Sequence, residues 1–402
     1  MADVTLAASP ATQRVKRNQT AAYFVAFISL GLTASSLGPT LPGLAANTRS
    51  SISQISILFT VQALGVLVGD LVSGRWYDRA PAHPFLVGVI LALAVALALT
   101  PLVSSLWVLA AIMFLIGIGV GSIDVGGNTL LVWVHRHDVG PRMNGLHFFF
   151  GLGALIAPIL VAQAIALSGG ITWAYWLLAV LVLPAAFLLM RLPSPDAALE
   201  VDESPEERPR WWLILLIATM FFLFVGTEIS FGGWIYTYAI TLNVATTTTA
   251  GYLTSLFWGA LTLGRLLSIP LATRMQPRHM LMVDIAGLLV FLSLPLAVPG
   301  SAWVVWVAAF GVGLSMANVF PTLITMGERY LPVTGNITGW FLVGGSLGSM
   351  LVPWLIGQRF ESTGPQVTLV ILLATSTLAA GVLAIFLMVV RAPQSPEVVR
   401  SE

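Results

Sequence analysis

The sequence predicts an all-α membrane protein whose twelve transmembrane helices form two pseudo-symmetric six-helix bundles. Three observations predict it. Of 402 residues, 57% are hydrophobic and only 9% charged, with a mean hydropathy of +0.92, whereas about a quarter of the residues of a soluble domain are charged. Polar and Pro/Gly breaks divide the chain into twelve apolar runs, each close to the roughly 20 residues a helix needs to cross the hydrocarbon core. The second six runs repeat the first at a nearly constant offset.

Taken in order, a polar tail (1–19) comes first. It lacks the charged, apolar, then small-residue layout of a cleaved signal peptide, so the first span is expected to stay in the chain. Runs near 20–43, 54–77, 84–103, 105–134, 141–168 and 171–191 build the first bundle, 20–191. Short turns at 104 and 169–170 separate two of the pairs. The segment 192–210 contains SPDAALEVDESPEERPR, which is proline-rich and acidic and reads as a flexible linker. Runs near 211–240, 248–271, 280–298, 301–330, 334–358 and 365–391 build the second bundle, 211–391, and a tail (392–402) closes the chain.

Orientation follows from the basic residues, which favour the cytoplasmic side. With the N-terminus inside, all of the 18 except Arg49 and Arg359 fall in or beside cytoplasmic segments. An even span count then leaves both termini in the cytoplasm. Every basic residue but Lys16 is arginine, a usage associated with GC-rich bacteria, so a bacterial inner membrane is expected. A net charge of +1 argues for no nucleic-acid partner, and the absence of cysteine removes disulfides and thiolate chemistry. Five scattered histidines make no metal site. With no nucleophile and base at matched depth, an enzyme is disfavoured. Beyond the lipid bilayer no macromolecular partner is called for, and a monomer without cofactor is expected.

The repeat is read residue by residue. GLGALIAPILVAQ (151–163) overlays SLGSMLVPWLIGQ (346–358), matching Gly153 with Gly348, Pro158 with Pro353 and Gln163 with Gln358, an offset of 195. The same offset lays Gly31, Ser35 and Gly38 on Gly226, Ser230 and Gly233, and Asp70 on Arg265. An offset of 194 places Asp124 opposite Asn318 and Asn128 opposite Thr322. The glycines at 117, 119 and 121 read as close-packing positions.

Two parallel six-helix repeats joined by a cytoplasmic linker resemble the major facilitator superfamily, in which substrate binds near the midplane between the halves. GRWYDRAPAH (74–83) resembles the loop signature of that family at Gly74, Asp78 and Arg79 and departs from it at Pro81, Ala82 and His83. IDVGGNTLLVW, LHFFFGLGALIAP and GTEISFGGWIYTYA resemble the fucose-permease and Na+-dependent glucose transporter branch. That resemblance implies a sugar moved with a cation by alternating access. An acid used on the first helix in part of that branch has no counterpart here, where Thr33, Ser35 and Ser36 stand instead.

Charges inside the spans carry the site expectations, because each costs about 2.5–3.5 kcal/mol at a helix centre if uncompensated. Asp124 and Glu228 are the expected cation-coupling acids, since low dielectric favours the protonated form of a carboxylic acid and so eases proton exchange. The bland alternative for Asp124 is a hydrogen bond to His147. Asp70 and Arg265, near helix ends, are expected to form a gate with Gly74, Asp78 and Arg79, or a simple ion pair. Gln62, Asn128, Asn318, Asn336, Trp340, Glu228 and Trp234 are the expected substrate contacts. Amides both donate and accept, which suits a neutral polyol. A helix break at Gly232–Gly233 would let Trp234 and Glu228 face one cavity, whereas Trp234 could instead belong to an aromatic belt with Tyr236 and Tyr238. The expected function is uptake of a neutral sugar such as a hexose, with H+ ahead of Na+. Proton-coupled efflux is the alternative, weakened because Ala157–Pro158 lacks flanking glycines.

Overall fold

A computed structural model describes residues 10–77, 79–136, 139–196, 210–331 and 335–390. The regular elements among them are helices: α1 (Pro10–Ala34), α2 (Leu37–Thr48), α3 (Ile52–Ile55), α4 (Ile57–Tyr77), α5 (Ala82–Leu99), α6 (Leu106–His135), α7 (Gly140–Ser168) and α8 (Thr172–Leu189) in the first half. The second half has α9 (Trp211–Thr241), α10 (Thr247–Ala272), α11 (Pro277–Ala297), α12 (Ala302–Met316), α13 (Val319–Glu328), α14 (Gly335–Thr363) and α15 (Val367–Val389). Among the described residues, eleven helical stretches are long and apolar enough to span a membrane, and the bent pair α1–α2, taken as one span, makes a twelfth.

Three details depart from the sequence reading. The first helix begins at Pro10, inside the stretch read as a tail. The first span bends by 47° at Ser35–Ser36, where both hydroxyls turn back onto helix carbonyls, Gly31 O and Thr33 O. The tenth breaks at Ala317–Asn318, between α12 and α13. Conversely, α9 runs unbroken through Gly232–Gly233, so the expected break there does not exist.

The two halves pack alike. The first span lies on the fifth (α1 on α7) and the seventh on the eleventh (α9 on α14), while α4 lies on α6 and α10 on α12, and α5 on α8 and α11 on α15. Small residues set these approaches. A Cβ at Gly153 would strike the Ile28 carbonyl, and one at the offset-matched Gly348 would strike the Phe222 carbonyl. Without a hydrophobic drive between helices in lipid, such backbone proximity is what holds the pairs.

The halves meet through α7 with α10, α4 with α14, and α2 with α9. Among the described residues, the hydrogen bonds between them lie away from the ends that carry most of the arginines. Ser53 Oγ donates to Gln358 Oε1 (2.9 Å), and Gln358 Nε2 donates to Ser53 O (2.9 Å) and to Ser56 Oγ (3.3 Å). The Ile52 N–H donates to Glu361 Oε1 (2.8 Å), and Gln163 Nε2 to the Tyr252 hydroxyl. The molecule is therefore sealed on the side opposite its basic ends.

Candidate functional site

Polar side chains collect in two places, between α4 and α6 of the first half and between α9 and α10 of the second. On α6, Asn128 Nδ2 donates to Asp124 Oδ1 (3.0 Å) and to the Asp124 carbonyl (2.9 Å). The spacing of four residues puts both on one helix face, so the partner of Asp124 is its own helical neighbour and not His147. His147 packs edge-on to Phe27 instead. Asp70, on α4, lies against Gly121 of α6 and within the electrostatic field of Asp124. Its Oδ1 is buried with no hydrogen-bond partner among the described residues. The glycines of α6 make this possible, because Gly117 and Gly121 seat against the Gln62 and Val66 carbonyls.

Arg265 does not pair with Asp70. Its Nη2 lies 3.9 Å from Glu228 Oε1, with side chains 26% and 16% exposed respectively. The proposed Asp70–Arg265 lock is thus replaced by a pair within the second half, joining α9 to α10. His147 of α7 lies within reach of the Arg265 charge, so this pair borders the first half as well.

Gln62 lines a small central cavity with Ser35, Phe59, Gly232, Gly233 and Trp258. Asn318 sits at the α12–α13 break, 8% exposed, and its Oδ1 has no partner among the described residues. Trp234 is elsewhere. It is fully buried, its Nε1–H donates to Pro353 O (3.0 Å), and its ring stacks on Phe360 at 5.1 Å. That side chain is core, neither sugar platform nor aromatic belt, because continuous α9 turns it toward α14. Tyr238, expected at the interface, is buried too and donates to Gln366 Oε1. Trp340 is 47% exposed and meets Trp211 edge-on near the basic ends, away from the cavity.

Of the loop signature, Arg79 is exposed and Gly74 has open space where a Cβ would be. Asp78 and the side chain of Asn336 lie outside the described residues. His83, where the loop departs from the family signature, has a visible task. Its ring bonds the Tyr23 hydroxyl (2.8 Å) and the Leu192 carbonyl (3.1 Å), and the His83 backbone N–H donates to Ser194 Oγ (3.0 Å), tying the start of the linker to the first bundle.

Two residues escaped the sequence reading. Asp284 on α11 is 6% exposed with Oδ2 unpartnered among the described residues. It lay inside a predicted span and was legible there as an intramembrane acid. Trp258 gave no signal in sequence, being one tryptophan among 13. No group of three or more His, Cys, Asp or Glu among the described residues could hold a metal ion.

Comparisons with known proteins agree with this architecture. The family model described as Major Facilitator Superfamily matches residues 22–353. Sodium-dependent glucose transporter 1A of Mus musculus is 30% identical over 374 residues, spanning 83% of this chain and 88% of that relative. Among solved structures, a variant of the nucleoside transporter NupG aligns with a TM-score of 0.76 at 13% identity, covering 94% of this chain and all of that one. A D-xylose-proton symporter aligns at 0.74 and 14% identity, covering 92% and 97%. At such identities these two structures speak for the fold alone.

Proposed function

The chain belongs to the Major Facilitator Superfamily, and we propose that it is a multi-pass secondary transporter that accumulates a neutral sugar, such as a hexose, by coupling to a cation. The observation that carries cation coupling is the Asp70–Asp124 pair. Two carboxylates share one region between α4 and α6, and neither has a basic partner among the described residues. Like charges so placed in low dielectric call for a cation or a proton. Glu228, by contrast, already has Arg265, which leaves Asp124 as the principal coupling acid and moves Asp70 from gate to cation site.

The substrate side rests on neutral hydrogen-bonding groups, Gln62, Asn128 and Asn318, which suit hydroxyls rather than a charged solute. The relative named as a sodium-dependent glucose transporter supports a sugar and brings Na+ forward over the H+ that the sequence alone put first. We place the arginine-rich ends in the cytoplasm, by the positive-inside rule, and read the working unit as a monomer. The test is uptake of a hexose panel into proteoliposomes under separately imposed Na+ and pH gradients. Accumulation driven by one of the two is expected. Binding restricted to large apolar cations would instead return the chain to the efflux reading.

A further inference from the structure

A buried donor on the wall of the central cavity has nothing to donate to among the described residues. Trp258, on α10, is only 3% exposed, and its indole N–H has no hydrogen-bond partner among the described residues. Buried indoles ordinarily find an acceptor, and Trp234 on the neighbouring helix does so at 3.0 Å. The contrast marks Trp258 as built for a partner that comes and goes.

What surrounds that N–H narrows the partner. A Cβ on Gly232 would sit 2.8 Å from Trp258 Cζ2 and 3.2 Å from Cε2, the ring carbon bonded to the indole nitrogen. The N–H edge therefore borders the bare backbone of Gly232, where any side chain would crowd it. Gln62, on α4 of the first half, lines the same cavity and its side chain makes no hydrogen bond among the described residues, leaving an amide donor and acceptor available. Phe59 adds an aromatic wall from the first half, against Gly233. An indole donor would repel a cation, and an anion would find no free positive charge, since Arg265 is held by Glu228. A neutral ligand with hydroxyls on its edge and C–H bonds on its face satisfies all of these groups.

We infer that Trp258 is the sugar-contacting tryptophan of this chain, its indole N–H donating to a ring hydroxyl that the Gln62 amide also reads from the opposite half. The inference rests on the sugar-uptake reading above and deepens it. Because the two readers belong to different bundles, recognition of that hydroxyl and approach of the halves are one event. The sealed state leaves about 40 Å³ of space there, room for a few waters at about 10–15 Å³ each and not for a hexose. A hexose enters only when the halves part, and the orphaned N–H is the contact waiting for it.

The experiment uses the full chain in liposomes with glucose, galactose, mannose, fucose and xylose, followed by the monodeoxy series of whichever is taken up. Trp258→Phe keeps an aromatic ring and removes the N–H together with one ring of the indole, so the deoxy series is what separates the lost hydrogen bond from the lost packing. It is expected to raise KM about three- to tenfold, the range set by one net hydrogen bond, with maximal rate retained. The penalty should vanish for one monodeoxy analogue and persist for the others. An unchanged KM, or an equal penalty for every analogue, overturns the inference while leaving sugar uptake standing. Failure of the unaltered protein to take up any of the five sugars removes the uptake reading itself, and the inference with it. If Trp258→Phe does not fold, Gly232→Ala tests the same edge by pressing a methyl against the indole. Weaker binding of the same sugar is expected, and an unaffected KM overturns the assignment.

Discussion

Asp124 gains a local hydrogen bond from Asn128, and Asp70 gains none at Oδ1. An acid pair of this kind changes the coupling rather than the binding when one member is neutralised. Asp124→Asn is therefore expected to abolish gradient-driven accumulation while sugar exchange across the membrane stays measurable, and accumulation at the unaltered level would remove the coupling role. Glu228 and Arg265 predict a different pattern, because removing one partner strands the other in a largely buried site. Arg265→Gln should lower stability more than the double change Arg265→Gln with Glu228→Gln, by about 1–2 kcal/mol after allowing for solvent access to both groups. A thermal-melting cycle reads the difference. Trp234 supplies the third residue-scale test: Trp234→Ala should cost about 3–5 kcal/mol of stability as a buried aromatic truncation, with the folded fraction keeping its sugar affinity. At this scale the sequence was informative about charge and poor about aromatics. A carboxylate inside an apolar run is conspicuous wherever it points. A tryptophan beside a glycine pair looks the same whether it faces a cavity or, as Trp234 does, the Pro353 carbonyl of another helix.

Helix existence was readable from apolar length, and helix breaks were not. The bend at Ser35–Ser36 and the break at Ala317–Asn318 each lie ahead of a proline, Pro39 and Pro321, whose missing N–H and ring act on the carbonyl four residues back, Ser35 and Ala317. But prolines inside helices that stay continuous, Pro158 and Pro353, leave the same mark in the sequence. Gly232–Gly233 looked like a break and is none. Its glycines serve close approach, to Trp258 on one side and to Phe59 and the Gly38 backbone on the other. Glycine therefore reports missing side chains more dependably than missing helix, which is also how Gly153 and Gly348 work in the α1–α7 and α9–α14 pairs. Both press backbone carbonyls that have no freedom to retreat. Gly153→Val and Gly348→Val are accordingly expected to reduce the yield of folded protein to a similar degree, whereas Gly381→Val, with open space at its Cβ position, should express normally. Size-exclusion profiles of the three variants check this.

The doubled architecture of the whole molecule was legible because small-residue positions recur at a fixed offset, and those positions decide which helices pair. The conformation was not legible, since one sequence must serve every state of the transport cycle. What distinguishes the state seen here is a seal opposite the basic ends, where Gln358 bonds Ser53 and Ser56 and Glu361 accepts from the Ile52 N–H. Gln358 is the offset partner of Gln163, and Gln163 in turn bonds Tyr252 across the other seam. The two glutamines thus close the two equivalent seams, α14 against α3 and α7 against α10. Contacts made in only one state bias the equilibrium by their differential free energy. Each net hydrogen bond contributes about 0.5–1.5 kcal/mol, so losing the three that Gln358 makes should move the population by roughly tenfold or more toward the state open on that side. The absence of native cysteine lets a single introduced thiol report the shift. With Ser35→Cys in the central cavity, Gln358→Ala should accelerate labelling by a membrane-impermeant reagent added from the sealed side and slow it from the basic side. Gln163→Ala should do the same through the second seam. Labelling rates unchanged from both sides in both variants would mean that the glutamines fill space at the seams without holding them shut.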